Sequence, residues 1–188
     1  MVGTIKLLFK KVFSSRARSY LRRCKRHCLS IIKWHKCNKT TLPQLRDILL
    51  NEFNLQKGDA VFVPDFTFFS SGECPADEGA TPFFVDVDRR TYNIDPEKVK
   101  EATTEKTKAV VAVDFTGQSV ELEKLMAHCK ENNLVLIEDG AHVIGTKYKG
   151  QPNGSIADMT TFSFHPVKTV TGGEGGAVMT NSEEHYQK

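Results

Sequence analysis

One lysine and one aspartate stand out for the residues around them. Lys168 ends the β-prone run that begins at Met159 (MTTFSFHPVK) and leads into a loop carrying Gly172, Gly173, Gly175 and Gly176. Asp139 closes the apolar run LVLIED over residues 134–139. That run reads as a buried parallel strand whose last acid faces a crevice at the carboxyl edge of a sheet. A lysine near its ordinary pKa of about 10.4 is protonated at neutral pH, so a reactive one needs desolvation or a neighbouring cation. An amine able to form a Schiff base, a carboxylate able to keep a ring nitrogen protonated and donors for a phosphate are what pyridoxal phosphate requires. Lys168, Asp139 and the hydroxyls around them offer all three. Side-chain alternation on a strand sends Glu138 and Asp139 to opposite faces. The plain structural readings are a solvated lysine and a strand-end acid capping a helix over 140–144.

Several further motifs lie in a fixed order along the chain. They are GDAVFVPDFTF at 58–68, GATPFFVDVD at 79–88, TYNIDP at 91–96, EDGAH at 138–142, YKG at 148–150 and FSFHPVK at 162–168. In order and approximate spacing this set resembles the DegT/DnrJ/StrS-type nucleotide-sugar aminotransferases. Through VDFTGQS at 113–119, His142 and SFHPVK it most resembles the transaminases of pseudaminic-acid biosynthesis. The resemblance implies part of the large domain of a fold-type I aminotransferase and transfer of an amino group from glutamate to a keto carbon of a nucleotide-linked deoxysugar. It also implies pyridoxal phosphate as cofactor and a homodimer.

Carried residue by residue, the resemblance assigns Lys168 as the covalent attachment point and proton shuttle, and Asp139 as the partner of the pyridinium nitrogen. His142 is then the hydrogen-bond partner of the cofactor's phenolic oxygen, Ser163 a phosphate ligand, and Phe68 the aromatic side chain against the ring face. Gly140 departs from the family's small Ala or Ser, a change expected to loosen the turn. The phosphate-holding turn expected ahead of Gly58 has only Asn38-Lys-Thr-Thr41 to represent it. The family pattern extends well beyond Lys188, so a truncated chain, inactive by itself, is the expectation. The alternative is a non-catalytic remnant or a chimeric fragment.

Composition divides the chain. Of 26 Lys and Arg, twelve lie in residues 1–40 with no acid among them, which leaves fourteen basic and twenty-three acidic residues, a net of −9, for the remainder. An acidic body is a poor nucleic-acid surface, because such binding neutralises phosphates with Lys and Arg. Residues 1–40 read as a basic tail or a short amphipathic segment capable of weak contact with an anionic membrane surface. Residues 41–188 read as the truncated large domain. Five cysteines without a secretory signal point to reduced thiols in the cytoplasm, and the spacing of Cys24, Cys28 and Cys37 fits no zinc pattern, so no metal is assigned.

The elements that must position the site follow from periodicity. After a helical face over 42–54 and a strand over 60–63, the pattern predicts a helix at 67–79, distorted by Pro75, and a strand at 82–87. A helix at 95–102, a strand at 108–114, a helix at 119–132 and the strand 134–138 follow. Three β-prone pieces come last, at 145–148, 159–164 and 176–180. This alternation predicts an α/β, three-layer fold with right-handed crossovers and a mainly parallel sheet.

Overall fold

The computed structural model describes residues Ser30–Ile31, Phe53, 55–171 and 175–182. The helical face expected over 42–54 falls outside the described residues except for Phe53. So do Asn38-Lys-Thr-Thr41, Gly172, Gly173 and Glu174, and the basic head apart from Ser30 and Ile31.

The strands are β1 (Ser30–Ile31), β2 (Ala60–Pro64), β3 (Thr81–Val85), β4 (Thr107–Val113), β5 (Val135–Asp139), β6 (Lys147–Tyr148), β7 (Gln151–Pro152), β8 (Met159–Ser163) and β9 (Gly176–Thr180). Among the described residues three helices lie between them: α1 (Ser70–Asp77), α2 (Pro96–Ala102) and α3 (Leu122–Glu131). Seven strands form one sheet in the order β1-β9-β8-β5-β4-β2-β3, and β6 and β7 make a small hairpin. From β3 to β8 the neighbours are parallel. β9 runs antiparallel to β8, and β1, which comes from the basic head, runs antiparallel to β9.

Alternation along the central strands builds two cores. Val61, Val63, Ala109, Val111, Val113, Ile137 and Met159 pack on one face with Cys74 of α1. Phe62, Val110, Ala112 and Leu136 pack on the other with Val99 of α2 and with Leu122, Leu125 and Cys129 of α3. The result is the three-layer arrangement that the alternating pattern predicts.

Local signals explain the element ends. Asp95 accepts a hydrogen bond from the Glu97 backbone N–H at 2.9 Å and Pro96 opens the helix, so α2 starts with a side-chain cap and a residue that has no N–H to leave unpaired. α1 is shorter than the predicted 67–79. It has no side-chain cap and holds Pro75, which gives the ladder no donor, and it ends at Asp77. Cys74 and Cys129 are buried, and burial, helped by Asp158, pushes the Cys129 thiol up to about 12. No described helix is long and apolar enough to cross a membrane.

Candidate active site

Parallel strands put the carboxyl ends of β2, β4, β5 and β8 at one edge of the sheet, and the loops that leave them carry the site. At the end of β5, Asp139 is 3% exposed. It shares strand parity with Ile137, so its side chain belongs to the α1 face, whereas Glu138 goes to the face covered by α2 and α3. One Asp139 oxygen accepts the Ala141 backbone N–H at 3.2 Å. The residues that follow form successive turns, closed by Val143 N–H to Gly140 at 3.2 Å and Thr146 N–H to Val143 at 2.9 Å. A helix over 140–144 is therefore not what Asp139 caps.

Those turns place His142 so that its Nε2 lies 2.9 Å from Lys168 Nζ. The lysine reaches it from β8 through a turn in which its own backbone N–H donates to the His165 carbonyl at 2.9 Å. Both side chains are partly buried. Burial first, and then the Lys168 charge, lower the pKa of His142 below its usual 6.5. The neutral imidazole is favoured, and in the tautomer that carries its proton on Nδ1 the Nε2 accepts a hydrogen bond from the Lys168 amine.

Strand β8 supplies hydroxyls to both faces. Thr160 donates to Glu138 Oε2 at 2.7 Å on the α2/α3 side. Thr161 pairs in register with Asp139 and shares its face; its Oγ1 is buried and has no hydrogen-bond partner among the described residues. Ser163, also buried, accepts the His165 backbone N–H at 3.4 Å. Phe68, before α1, is 63% exposed with its ring centroid 4.6 Å from that of Phe69, so it is not a core side chain. Phe66, Tyr92 and Phe115 continue an aromatic rim along the strand ends, with centroids 5.0 Å apart for Phe66 and Phe115 and 5.4 Å apart for Phe66 and Tyr92.

Gly140 is closely surrounded. A Cβ there would lie 2.9 Å from the Phe162 ring and 3.1 Å from methyls of Thr160 and Val143, so the glycine permits close packing. The donor set suits pyridoxal phosphate: a lysine amine with a neutral acceptor, a buried carboxylate, a buried hydroxyl lacking a partner beside it, a serine at the strand end and an open aromatic face.

The sequence motifs and this arrangement lead to the same place. The model of the DegT/DnrJ/EryC1/StrS aminotransferase family matches residues 39–188. The chain belongs to this family. The match opens ahead of Gly58, where the recognisable motifs begin.

Among relatives, GDP-perosamine synthase of Escherichia coli O157:H7 is 38% identical over 141 residues, which is 75% of this chain and 39% of that protein. Spr1654 of Streptococcus pneumoniae, solved in its PLP form, superimposes with a TM-score of 0.77 at 29% identity, covering 94% of this chain and 50% of that one. PseC of Helicobacter pylori, an aminotransferase involved in the biosynthesis of pseudoaminic acid, gives a TM-score of 0.77 at 26% identity, with 97% and 49% covered. The chain thus spans between a third and a half of the length of the relatives it matches, and its fold is that of the fold-type I aminotransferases over that span.

The structure joins Lys168 to His142 and sets Asp139, Thr161 and Ser163 on one sheet face. It also brings forward residues that sequence reasoning passed over. Asp114, at the end of β4, accepts the Val120 backbone N–H at 2.8 Å and is 0% exposed. Its signal was available, since it ends an apolar strand just as Asp139 does. Asn153 contacts both Asp114 and Glu138, and nothing in its local sequence announces this.

Proposed function

We propose that this chain forms the cofactor-binding part of an enzyme that transfers an amino group from glutamate to a keto carbon of a nucleotide-linked deoxysugar, for a glycan or cell-surface polysaccharide. The contact of Lys168 Nζ with His142 Nε2 at 2.9 Å, at the edge where Asp139 ends its strand, carries this reading. Pyridoxal phosphate, when bound, supplies a carbonyl that captures amines and a ring that accepts electron density. Lys168 would hold it covalently, and His142 Nε2, 2.9 Å from the amine, would hydrogen-bond it and fix its direction.

Asp139 would face the ring nitrogen, where a buried carboxylate opposite a cation favours the charged form of both. Thr161 Oγ1, on the same face, is available to orient that carboxylate. Ser163 would donate to the phosphate, and Phe68 would lie against the ring. The exposed aromatic rim supports a homodimer in which a second copy covers it. The odd number of cysteines, five, supports a reducing compartment, the cytoplasm.

Borohydride reduction in the presence of pyridoxal phosphate, followed by peptide mass spectrometry, tests the assignment. Label is expected on Lys168 and is expected to disappear in Lys168→Ala. Label on other lysines alone would overturn the reading.

A further inference from the structure

On the face of the sheet opposite Asp139 lies a pair of acids that the proposed reaction does not use. Asp114 and Glu138, at the ends of adjacent parallel strands, are both 0% exposed. One side-chain amide touches both: Asn153 Nδ2 lies 2.9 Å from Glu138 Oε1 and 3.2 Å from Asp114 Oδ2. Among the described residues neither acid has a lysine, arginine or histidine as ion-pair partner. Two ionised carboxylates buried together without a cation are strongly disfavoured, since each pays desolvation and repels the other.

The donors around them show which acid keeps its charge. Glu138 accepts three hydrogen bonds, from the Thr160 hydroxyl at 2.7 Å, the Gly154 backbone N–H at 3.1 Å and Asn153. Donors converging on both of its oxygens are the surroundings of a carboxylate. Asp114 accepts the Val120 N–H on Oδ1 and the Asn153 amide on Oδ2, and its side chain is within hydrogen-bonding reach of Glu138. Ser119 Oγ lies 2.9 Å from Asn153 Oδ1, to which its hydroxyl can donate, and 2.7 Å from Asn153 Nδ2, so it holds the amide that stands between the two acids. A single proton held between the two carboxyl groups removes one of the two buried charges.

We propose that Asp114 and Glu138 share one proton across the ends of β4 and β5, and that this proton-bound pair is a positioning device beneath Asp139. Asp114 Oδ2–H donates to the Glu138 carboxylate, and no bond to carbon changes. Burial, then repulsion by Glu138 and its hydrogen bond, hold the Asp114 carboxyl well above the usual carboxylate range. From the elements packed around Asp114, Glu138 is the charged group that acts on it; Asn153, Ser119 and the Val120 N–H are neutral. The link to the site is direct, because Asp139 is the next residue after Glu138 and its carbonyl accepts the Asp114 backbone N–H at 3.1 Å. Loss of the shared proton leaves two like charges at the strand ends, and their repulsion bears on the peptide that carries Asp139.

The pairing is read from this geometry alone. Only its bearing on Asp139 rests on the proposed function, so the test uses the chain without cofactor. Infrared difference spectra of the chain carrying isotope-labelled aspartate should contain a protonated-carboxyl stretch at about pH 7 that shifts with the label and is absent in Asp114→Asn. The folded state holds a proton that the unfolded state releases, so stability should fall as pH rises above the ordinary aspartate value of about 3.9, and the fall should end where the folded carboxyl itself ionises. Asp114→Asn, which keeps the hydrogen-bonding shape without the titration, should lose that component of the fall. A labelled wild-type chain with no protonated-aspartate band at neutral pH overturns the proposal, and this measurement needs no variant to fold. An unchanged pH slope in Asp114→Asn overturns it equally. Failure of pyridoxal phosphate to label Lys168 would leave the acid pair untouched and count only against the functional reading.

Discussion

His142 is the residue on which the proposed chemistry turns, because it receives the lysine. Its lowered pKa fixes the sign of a pH effect. Between the folded value and the ordinary 6.5, the unfolded chain binds a proton that the folded chain refuses, so stability is fully present above about 6.5 and is lost as pH falls. His142→Gln keeps a polar side chain that does not titrate. Thermal melts of the two proteins from about pH 7.5 to about pH 5 should therefore converge, with the wild type losing more of its stability. Parallel curves would show that His142 is not protected from protonation. Gly140 acts at the same scale by absence, since any Cβ there meets the Phe162 ring.

At the scale of elements, the loops at the carboxyl edge are tied to one another as well as to their strands. Asn93, from the TYNIDP motif, is 4% exposed; its side-chain oxygen accepts the Phe115 N–H at 2.9 Å and its amide donates to the Gln118 carbonyl at 3.0 Å. This clamps the turn after β3 to the segment after β4, next to the rim formed by Phe66, Tyr92 and Phe115. Asn93→Ala leaves a backbone donor and an acceptor short of partners, which should cost about 1–3 kcal/mol in denaturant unfolding. A change below a few tenths of a kcal/mol would mean that water replaces the clamp freely. The motif thus has an architectural reason to exist beside any role in binding. Asp95 and Pro96, which open α2, belong to the same motif and act in the same way.

For the molecule as a whole, the notable surface is the aromatic one. Phe66, Phe68, Phe69, Phe83, Phe84 and Tyr92 are each between 46% and 65% exposed, so six large aromatic side chains are open to water. Self-association is the expected result, with an apparent mass in light scattering that rises with concentration. Phe69→Ser together with Phe84→Ser should shift the population towards monomer without lowering the melting temperature by more than a few degrees, because neither side chain belongs to either core. A concentration-independent monomer would remove the support for a homodimer. The sheet also recruits Ser30–Ile31 from the basic head, ahead of the family match that begins at residue 39.

Periodicity and chain order made the alternating strands and helices between 60 and 139 legible, since each depends on neighbours a few residues apart, whereas β1 and β7, two residues each, carry too short a pattern to be read. The apolar runs ending in Asp114 and Asp139, the Asp95-Pro96 helix start and the lysine loop are all visible in a line of letters. Alternation also told that Glu138 and Asp139 must part. It could not tell which helices each would meet, because that depends on how the crossovers wind. Contacts between residues far apart in sequence were decided by folding alone: Lys168 with His142, Asn153 with Asp114 and Glu138, Thr161 in register with Asp139. The state of the protons follows from those contacts, since a carboxyl group or an imidazole shifts from its ordinary pKa through burial and neighbouring charge, and both come into being only when distant strands close on one another.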